Sequence, residues 1–157
     1  MIHVRPVERG DAEQWLALRS ALWPEDDAAG DEIARFFAEP GRRGGLLPEA
    51  VFVAVADDAP ARLVGFAEVS RRAYAEGCDT SPVGFLEGWY VVPERRAQGV
   101  GRALVGAAEA WARALGCREF ASDALAENEA SARAHRALGF QEVEVIRCFR
   151  KTLAGAR

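Results

Sequence analysis

Two kinds of residue in this chain have types and spacings suited to chemistry: a glycine-punctuated turn between arginines, and single acids set in or beside apolar strands. In "RRAQGVGRALV", residues 95–105, Gly99 and Gly101 allow a tight turn and a close approach of backbone to a ligand. The helix predicted after them points unpaired N–H groups back toward the loop, which with Arg96 and Arg102 beside it is an anion site in outline. A dinucleotide fingerprint requires a third glycine where Leu104 stands. A P-loop requires Lys-Ser or Lys-Thr after the Gly101 and Gly106 pair, where Ala107 and Ala108 follow. What remains is R-x-x-G-x-G, read as Arg96, Gly99 and Gly101; an ordinary helix start with solvated arginines has the same six residues.

Among the acids, Glu87 stands in the middle of the apolar run "FLEGWYVV". A charge there is costly unless solvated or matched, so it marks either a functional carboxylate or a salt-bridged one. Asp123 ends the short run "ASD", where an open sheet presents residues to a ligand crevice, with loop or cap duty as the plainer alternative. Asp79 in "GCDTSP" either joins an acidic patch or shapes its turn. Glu68, on a neighbouring strand, is a reserve candidate for a base. His135 lies on a largely apolar helix and has two readings of equal weight, proton donor or packing residue.

These residues need a scaffold, and the hydrophobic periodicity supplies one. "IHVRPV" alternates as a first strand; Asp11 is placed to cap a helix carrying Trp15, Leu18 and Leu22 that stops at Pro24. A second helix, "DEIARFFAE", ends before Pro40, and "PGRRGGLLPE" reads as a flexible, glycine-rich connection able to serve as a mobile rim. "AVFVAVADD" and "ARLVGFAEVS" form a hairpin around "DDAPA", followed by the polar loop "RRAYAEGCDTSPVG" and the strand "FLEGWYVV". Val100, Leu104, Ala107, Ala108, Trp111 and Leu115 recur at helical steps, predicting a helix from about Gly99 to Leu115 closed by Gly116. A short strand "REFASD", a helix "NEASARAHRAL" ended by Gly139 and a last strand "QEVEVIRCFRKTL" complete the order β-α-α-β-β-β-α-β-α-β. That order predicts a mixed sheet with helices packed on it, an α/β or α+β layer fold.

At 157 residues, half of them hydrophobic and 28% charged, the chain is predicted to form one globular domain. A net charge of −4 and a pI of about 5.3 give no support to a nucleic-acid or anionic-membrane surface and suit a cationic substrate. The first residues show no basic segment followed by an apolar one, and no run approaches a membrane span, so the expected location is cytoplasmic. Three scattered cysteines, Cys78, Cys117 and Cys148, without C-x-x-C spacing, argue against a disulfide framework or a zinc site and are expected to be buried thiols. Neither histidine, His3 or His135, lies near a cysteine in sequence, which disfavours cysteine nucleophilic chemistry.

The R-x-x-G-x-G turn, entered from a strand and leaving into a helix, resembles the pyrophosphate loop of the GNAT-type N-acetyltransferase superfamily, and the element order matches that superfamily from end to end. "LRSALWP", "GCDTSPVGFLEGWYV", "GCREFASD" and "AENEASARAHRALGF" together resemble the aminoglycoside 6'-N-acetyltransferases over almost the whole chain. The departures are an apparently longer "EPGRRGGLLPE" connection and a loop ending in Gly101 where relatives carry alanine.

The resemblance implies a GNAT fold, a mostly antiparallel mixed sheet whose central strands splay apart to admit acetyl-CoA, and a reaction by direct attack of an amine in a ternary complex, without a metal. It assigns Glu87 as the acid that binds the ammonium and takes its proton, and Asp123 as a holder of substrate ammonium groups that shares the base role through water. Trp23 and Tyr74 become candidates for an aromatic wall against sugar rings, with packing the plainer reading, and Asp79 a further substrate contact. Acetyl-CoA contacts fall to the backbone of Gln98, Gly99, Val100, Gly101 and Arg102, to Arg96, to Val91 N–H at the thioester carbonyl, and to Asn128 and Ser131. His135 stands where many relatives carry a tyrosine as acid to the departing thiolate. The family's members are often dimers, and the alternating last strand suits pairing with a second copy. The rivals are an acetyltransferase for another amine, such as a protein N-terminus, a polyamine or a small metabolite, and a catalytically silent acyl-CoA-binding module.

Overall fold

The computed structural model describes residues 1–39 and 47–155. Five strands, β1 (Ile2–Pro6), β2 (Ala50–Ala56), β3 (Ala59–Arg72), β4 (Val83–Val91) and β5 (Phe120–Ser122), form one sheet in that order. β1 to β4 pair antiparallel and β5 joins β4 parallel, giving the mixed, mostly antiparallel sheet that the sequence predicts. The helices are α1 (Ala12–Leu22), α2 (Ala29–Ala38), α3 (Val100–Ala114) and α4 (Glu129–Ala137). The chain divides into two compact units, Met1–Asp123, which holds the sheet and α1 to α3, and Ala124–Arg157, which holds α4. Residues 40–46 of the glycine-rich connection lie outside the described residues.

Successive residues of β3 face opposite sides, and the helices follow that alternation. A Cβ at Gly65 would stand 3.0 Å from Leu104 Cδ1 of α3, while Phe66, the next residue, meets the ring of Trp23 at the end of α1. The first unit is thus layered as helix, sheet, helix, with Val53, Val64, Phe66, Leu86, Val100 and Leu104 sealed between. Burying a side chain the size of Leu104 contributes about 1.5–3 kcal/mol.

Several expectations are corrected. The α3 stripe is rotated from the predicted one: Val105 and Ala112 are buried and Leu115 is 41% exposed. Asp11 occupies the N-cap position of α1 as expected but makes no capping bond, because its carboxylate accepts from Nη1 and Nη2 of Arg5 and from the backbone N–H of Glu8. β3 runs to Arg72 instead of ending at Ser70, so the polar loop starts two residues later. Only Cys117 is buried; Cys78 is half-buried and Cys148 exposed. The predicted last strand, residues 141–153, forms no strand among the described residues. Alternation makes a segment competent for a sheet, but a strand exists only when a neighbour supplies the ladder.

Candidate active site

The site grows from an irregularity in β4. Glu68 of β3 pairs with Gly88, yet Val69 pairs with Leu86, so Glu87 is the extra residue of a β-bulge. A bulge bends its strand and re-aims the side chain it carries. Glu87 is reached there by Arg72, the last residue of β3: Nε donates to Oε1 at 3.2 Å and Nη2 donates to Oε2 at 2.7 Å. The guanidinium carbon lies 3.5 Å from the Phe85 ring centroid, so the same cation is stacked and paired at once. Glu87 is thus salt-bridged, the plainer of its two sequence readings.

The ladder between β4 and β5 covers only Gly84 to Leu86 against Phe120 to Ser122, and β4 continues alone on that side from Glu87 to Val91. Amides alternate between the two edges of a strand. Since Val92 N–H donates to Val64 of β3, the N–H of Val91 is directed to the opposite edge, where β5 has ended. Arg96 Nε donates to the Val91 carbonyl at 2.9 Å, which ties the loop after β4 to that edge. The guanidinium of Arg96 also lies 5.4 Å from the Tyr90 ring centroid.

That loop reaches α3 through two left-handed residues, Ala97 (φ 59°) and Gly99 (φ 85°), with Gly99 as the N-cap. Gln98 Nε2 donates to Glu94 O at 2.9 Å, bracing the turn from within. Gly101 is needed for space: a Cβ there would lie 2.8 Å from Cζ3 of Trp89 on β4. The positive φ at Gly99, the helix start at Val100 and the arginines fit a pyrophosphate, and the one-sided β4 edge beyond Leu86 fits an extended thioester arm.

Beside Glu87 stands the candidate wall, Trp23. Its ring covers Gly88, the residue after Glu87, so closely that a Cβ on Gly88 would be 2.5 Å from Cζ2 and nearer still to Cη2. Arg19 packs over that ring, its guanidinium carbon 5.3 Å from the centroid. Arg19 is itself fixed by Glu32 at 2.6 Å, Asp26 at 3.5 Å and Glu68 at 2.8 Å. Glu68 also accepts from Trp15 Nε1 at 3.1 Å and is only 2% exposed, and burial raises its pKa to about 7. The reserve base is thus a sealed member of the wall's support, directed at α1.

Asp123 follows β5 and is exposed; with Glu87 and Glu76 it contributes to the negative field around Arg72, whose pKa is raised chiefly by its bonds to Glu87. Glu87, Asp123 and Trp23 are thus gathered in one unit. Asp79 is exposed, and the turn holding it is set by Glu119, whose Oε1 accepts the backbone N–H groups of Asp79 and Thr80 and the Thr80 hydroxyl. Those bonds hold the Glu119 carboxyl below the ordinary glutamate range. Tyr74, at 65% exposure, lies on the loop after β3. In the second unit Asn128 caps α4 by accepting from Ser131 N–H at 3.0 Å. His135 Nδ1 lies 2.7 Å from the Ser131 carbonyl, which requires that nitrogen to be the donor and leaves Nε2 the basic one.

Sequence reasoning missed Arg72, Arg19 and Glu119. The hairpin β3–β4 alone brings Arg72 to Glu87, and a strand-pairing argument extended past Ser70 finds it; no local pattern marks Arg19 or Glu119.

The model of the acetyltransferase (GNAT) family matches residues 12–140, most of the chain. The chain belongs to the GNAT acetyltransferase family. Among curated relatives it is 54% identical over 152 residues to an aminoglycoside N(6')-acetyltransferase type 1 of Klebsiella aerogenes, covering 96% of each chain. It is 45% identical to the protein of the same name from Stenotrophomonas maltophilia, covering 96% of this chain and 93% of that one. Among solved structures, AAC(6')-Iy in complex with the bisubstrate analogue CoA-S-monomethyl-acetylneamine matches with a TM-score of 0.83 at 39% identity, covering 98% and 99% of the two chains. The 6'-N-acetyltransferase AAC(6')-Ih of Acinetobacter baumannii matches with a TM-score of 0.85 at 35% identity, covering 98% of this GNAT chain and 100% of that one.

Proposed function

We propose that the protein is an aminoglycoside 6'-N-acetyltransferase that uses acetyl-CoA as acetyl donor, and that its two units act as one acetyltransferase domain. The carrying observation is the end-to-end likeness, at 54% identity, to an aminoglycoside N(6')-acetyltransferase. The family match crosses from the first unit into the second, which supports a single functional domain.

In this reading the α3 start, through the backbone from Gln98 to Arg102 with Arg96 alongside, binds the pyrophosphate of CoA. The Val91 N–H, on the edge that β5 leaves bare, polarises the thioester carbonyl. Glu87 and Asp123 bind the polycationic substrate against Trp23, with Asp79 and Tyr74 at the outer rim. Glu87 takes a proton from the 6'-ammonium and passes it to water, the free amine nitrogen attacks the carbonyl carbon and gives its second proton to Glu87, and the C–S bond breaks to leave an amide and a thiolate. His135, when it carries a proton on Nε2 as well as on Nδ1, protonates the departing sulfur, and Asn128 and Ser131, at the start of its helix, bind the cofactor arm. Holding amine and thioester in contact supplies much of the acceleration. The reaction is proposed to run in the cytoplasm, where acyl-CoA thioesters are held. Among the described residues no helix is long and apolar enough to cross a membrane, which by itself assigns no compartment.

The protein is further proposed to act as a homodimer. Val143, Val145, Ile146, Phe149 and Leu153 are each at least 51% exposed on a segment of strand-like alternation, and a second copy is the occupant that would bury them. Sedimentation of the purified protein as a monomer refutes this.

The test of the activity is CoA release from acetyl-CoA with kanamycin, which has a 6'-amine, against an aminoglycoside with a 6'-hydroxyl. Release confined to the amine, with the product heavier by one acetyl group, is expected. Equal release, or none while acetyl-CoA still binds, overturns the substrate assignment.

A further inference from the structure

Three features of Arg72 stand out once the site is assembled. It makes both available hydrogen bonds to Glu87, the acid read as binding the substrate ammonium. It sits in the combined field of Glu87, Asp123 and Glu76, the patch suited to a polycation. And it is 43% exposed, so water and an incoming cation reach it. A guanidinium bonded to both carboxylate oxygens takes two of the roughly four lone-pair sites of Glu87 and offsets its charge, so a second cation meets a weakened acceptor.

We propose that Arg72 is a built-in competitor for the substrate's ammonium group: it occupies Glu87 in the resting protein, and the substrate must displace it to reach the acid. This rests on the reading of Glu87 as the ammonium-binding acid. The displaced guanidinium has somewhere to go. Released from Glu87, it keeps the attraction of Asp123 and Glu76, whose charges already act on it, with the Phe85 ring beside it.

The arrangement makes Arg72 a specificity-determining residue. A monoamine offers one charge in exchange for a bidentate, stacked guanidinium and exchanges poorly. An aminoglycoside offers several ammonium groups at once, so its other charges engage the remaining acids while one takes Glu87. The apparent affinity of any cation is lowered by the fraction of protein in which Glu87 is vacant. A protein with Glu87 vacant roughly one-tenth of the time therefore binds about tenfold more weakly than one in which the competitor is removed.

The experiment compares wild type, Arg72→Gln, Arg72→Lys, Glu87→Gln and the double variant Arg72→Gln/Glu87→Gln. The probes are kanamycin and the monoamine 6-amino-6-deoxyglucose, with unfolding transitions recorded for each protein. Arg72→Gln is expected to lower the KM for kanamycin about tenfold and to improve kcat/KM for the monoamine by a larger factor. Arg72→Lys, which keeps the charge but loses the bidentate fork, is expected to fall between. Arg72→Gln should give no decrease in KM when Glu87 is already Gln. A residue that merely braces the fold raises KM or lowers kcat when removed, so an unchanged or raised kanamycin KM in both folded Arg72 variants overturns the proposal. If Glu87→Gln itself leaves kanamycin kinetics at wild-type values, the reading of Glu87 fails, and the proposal with it. If Glu87→Gln is impaired and the Arg72 variants show no gain, the competitor idea alone fails.

Discussion

Replacing Gly88 by alanine tests the architecture of the site through a single methyl group. The added Cβ would stand 2.5 Å from Trp23 Cζ2, where carbon atoms in contact normally keep about 3.5–4.0 Å, so ring or strand must move by about 1 Å. The ring has little freedom to yield. Phe66 lies edge-on at 6.5 Å between centroids, and Arg19, packed over the ring, is held by Glu32 and Glu68. Overpacking of this kind costs about 1–3 kcal/mol. A cost near the middle of that range lowers Tm by roughly 4–8 °C for a chain of this length. In a Trp23→Ala background the obstacle is gone, and the same glycine-to-alanine change becomes neutral or slightly favourable because alanine suits a strand better. Thermal and urea unfolding of the wild type, both single variants and the double variant measure the coupling directly, with an expected value of about 2 kcal/mol. The kanamycin KM of Gly88→Ala should rise as well, since the wall beside Glu87 is displaced. A Gly88→Ala cost that is the same with and without Trp23 refutes the packing argument and removes Trp23 from the site.

Three further outcomes are expected. Glu87→Gln should slow acetyl transfer by roughly 10²–10⁴-fold, and Asp123→Asn should weaken aminoglycoside binding, with acetyl-CoA binding retained in both; wild-type steady-state kinetics in the pair would dismiss the acidic site. Glu68 is raised by burial from 4.5 to about 7, so the stabilisation it gives as a neutral acid is complete below about pH 4.5 and is lost as pH rises through about 7. Relative to Glu68→Gln, the wild type should therefore lose on the order of 3 kcal/mol across that window, and parallel stability curves in urea titrations at several pH values would contradict it. His135→Ala should lower kcat more than it alters either KM; unchanged turnover would take away the acid role.

The parts of the fold set by local periodicity were readable in the chain. Helix α3, its glycine start, the β2–β3 hairpin and the anomalous acid in "FLEGWYVV" all follow from residue spacing. What escaped depends on one residue more or less, or on partners far apart in sequence. The bulge at Glu87 is invisible to an alternation count, because a single extra residue changes which neighbours meet without changing composition. Glu68 reads like any acid on a strand until Arg19 and Trp15, from a helix some fifty residues earlier, are seen to enclose it. Residues 141–153 show the reverse failure: their pattern is that of a strand, but the ladder it needs is not supplied among the described residues of one chain.

The contact between Gly101 and Trp89 constrains the order in which this loop can evolve. Alanine at position 101 meets the indole 2.8 Å away, so that substitution is penalised for as long as Trp89 remains. Once Trp89 has become a smaller residue, alanine at 101 is admitted and favours the helix; the return to tryptophan is then blocked in its turn. The two positions therefore change in a fixed order in either direction: tryptophan must shrink before alanine enters, and glycine must return before tryptophan does.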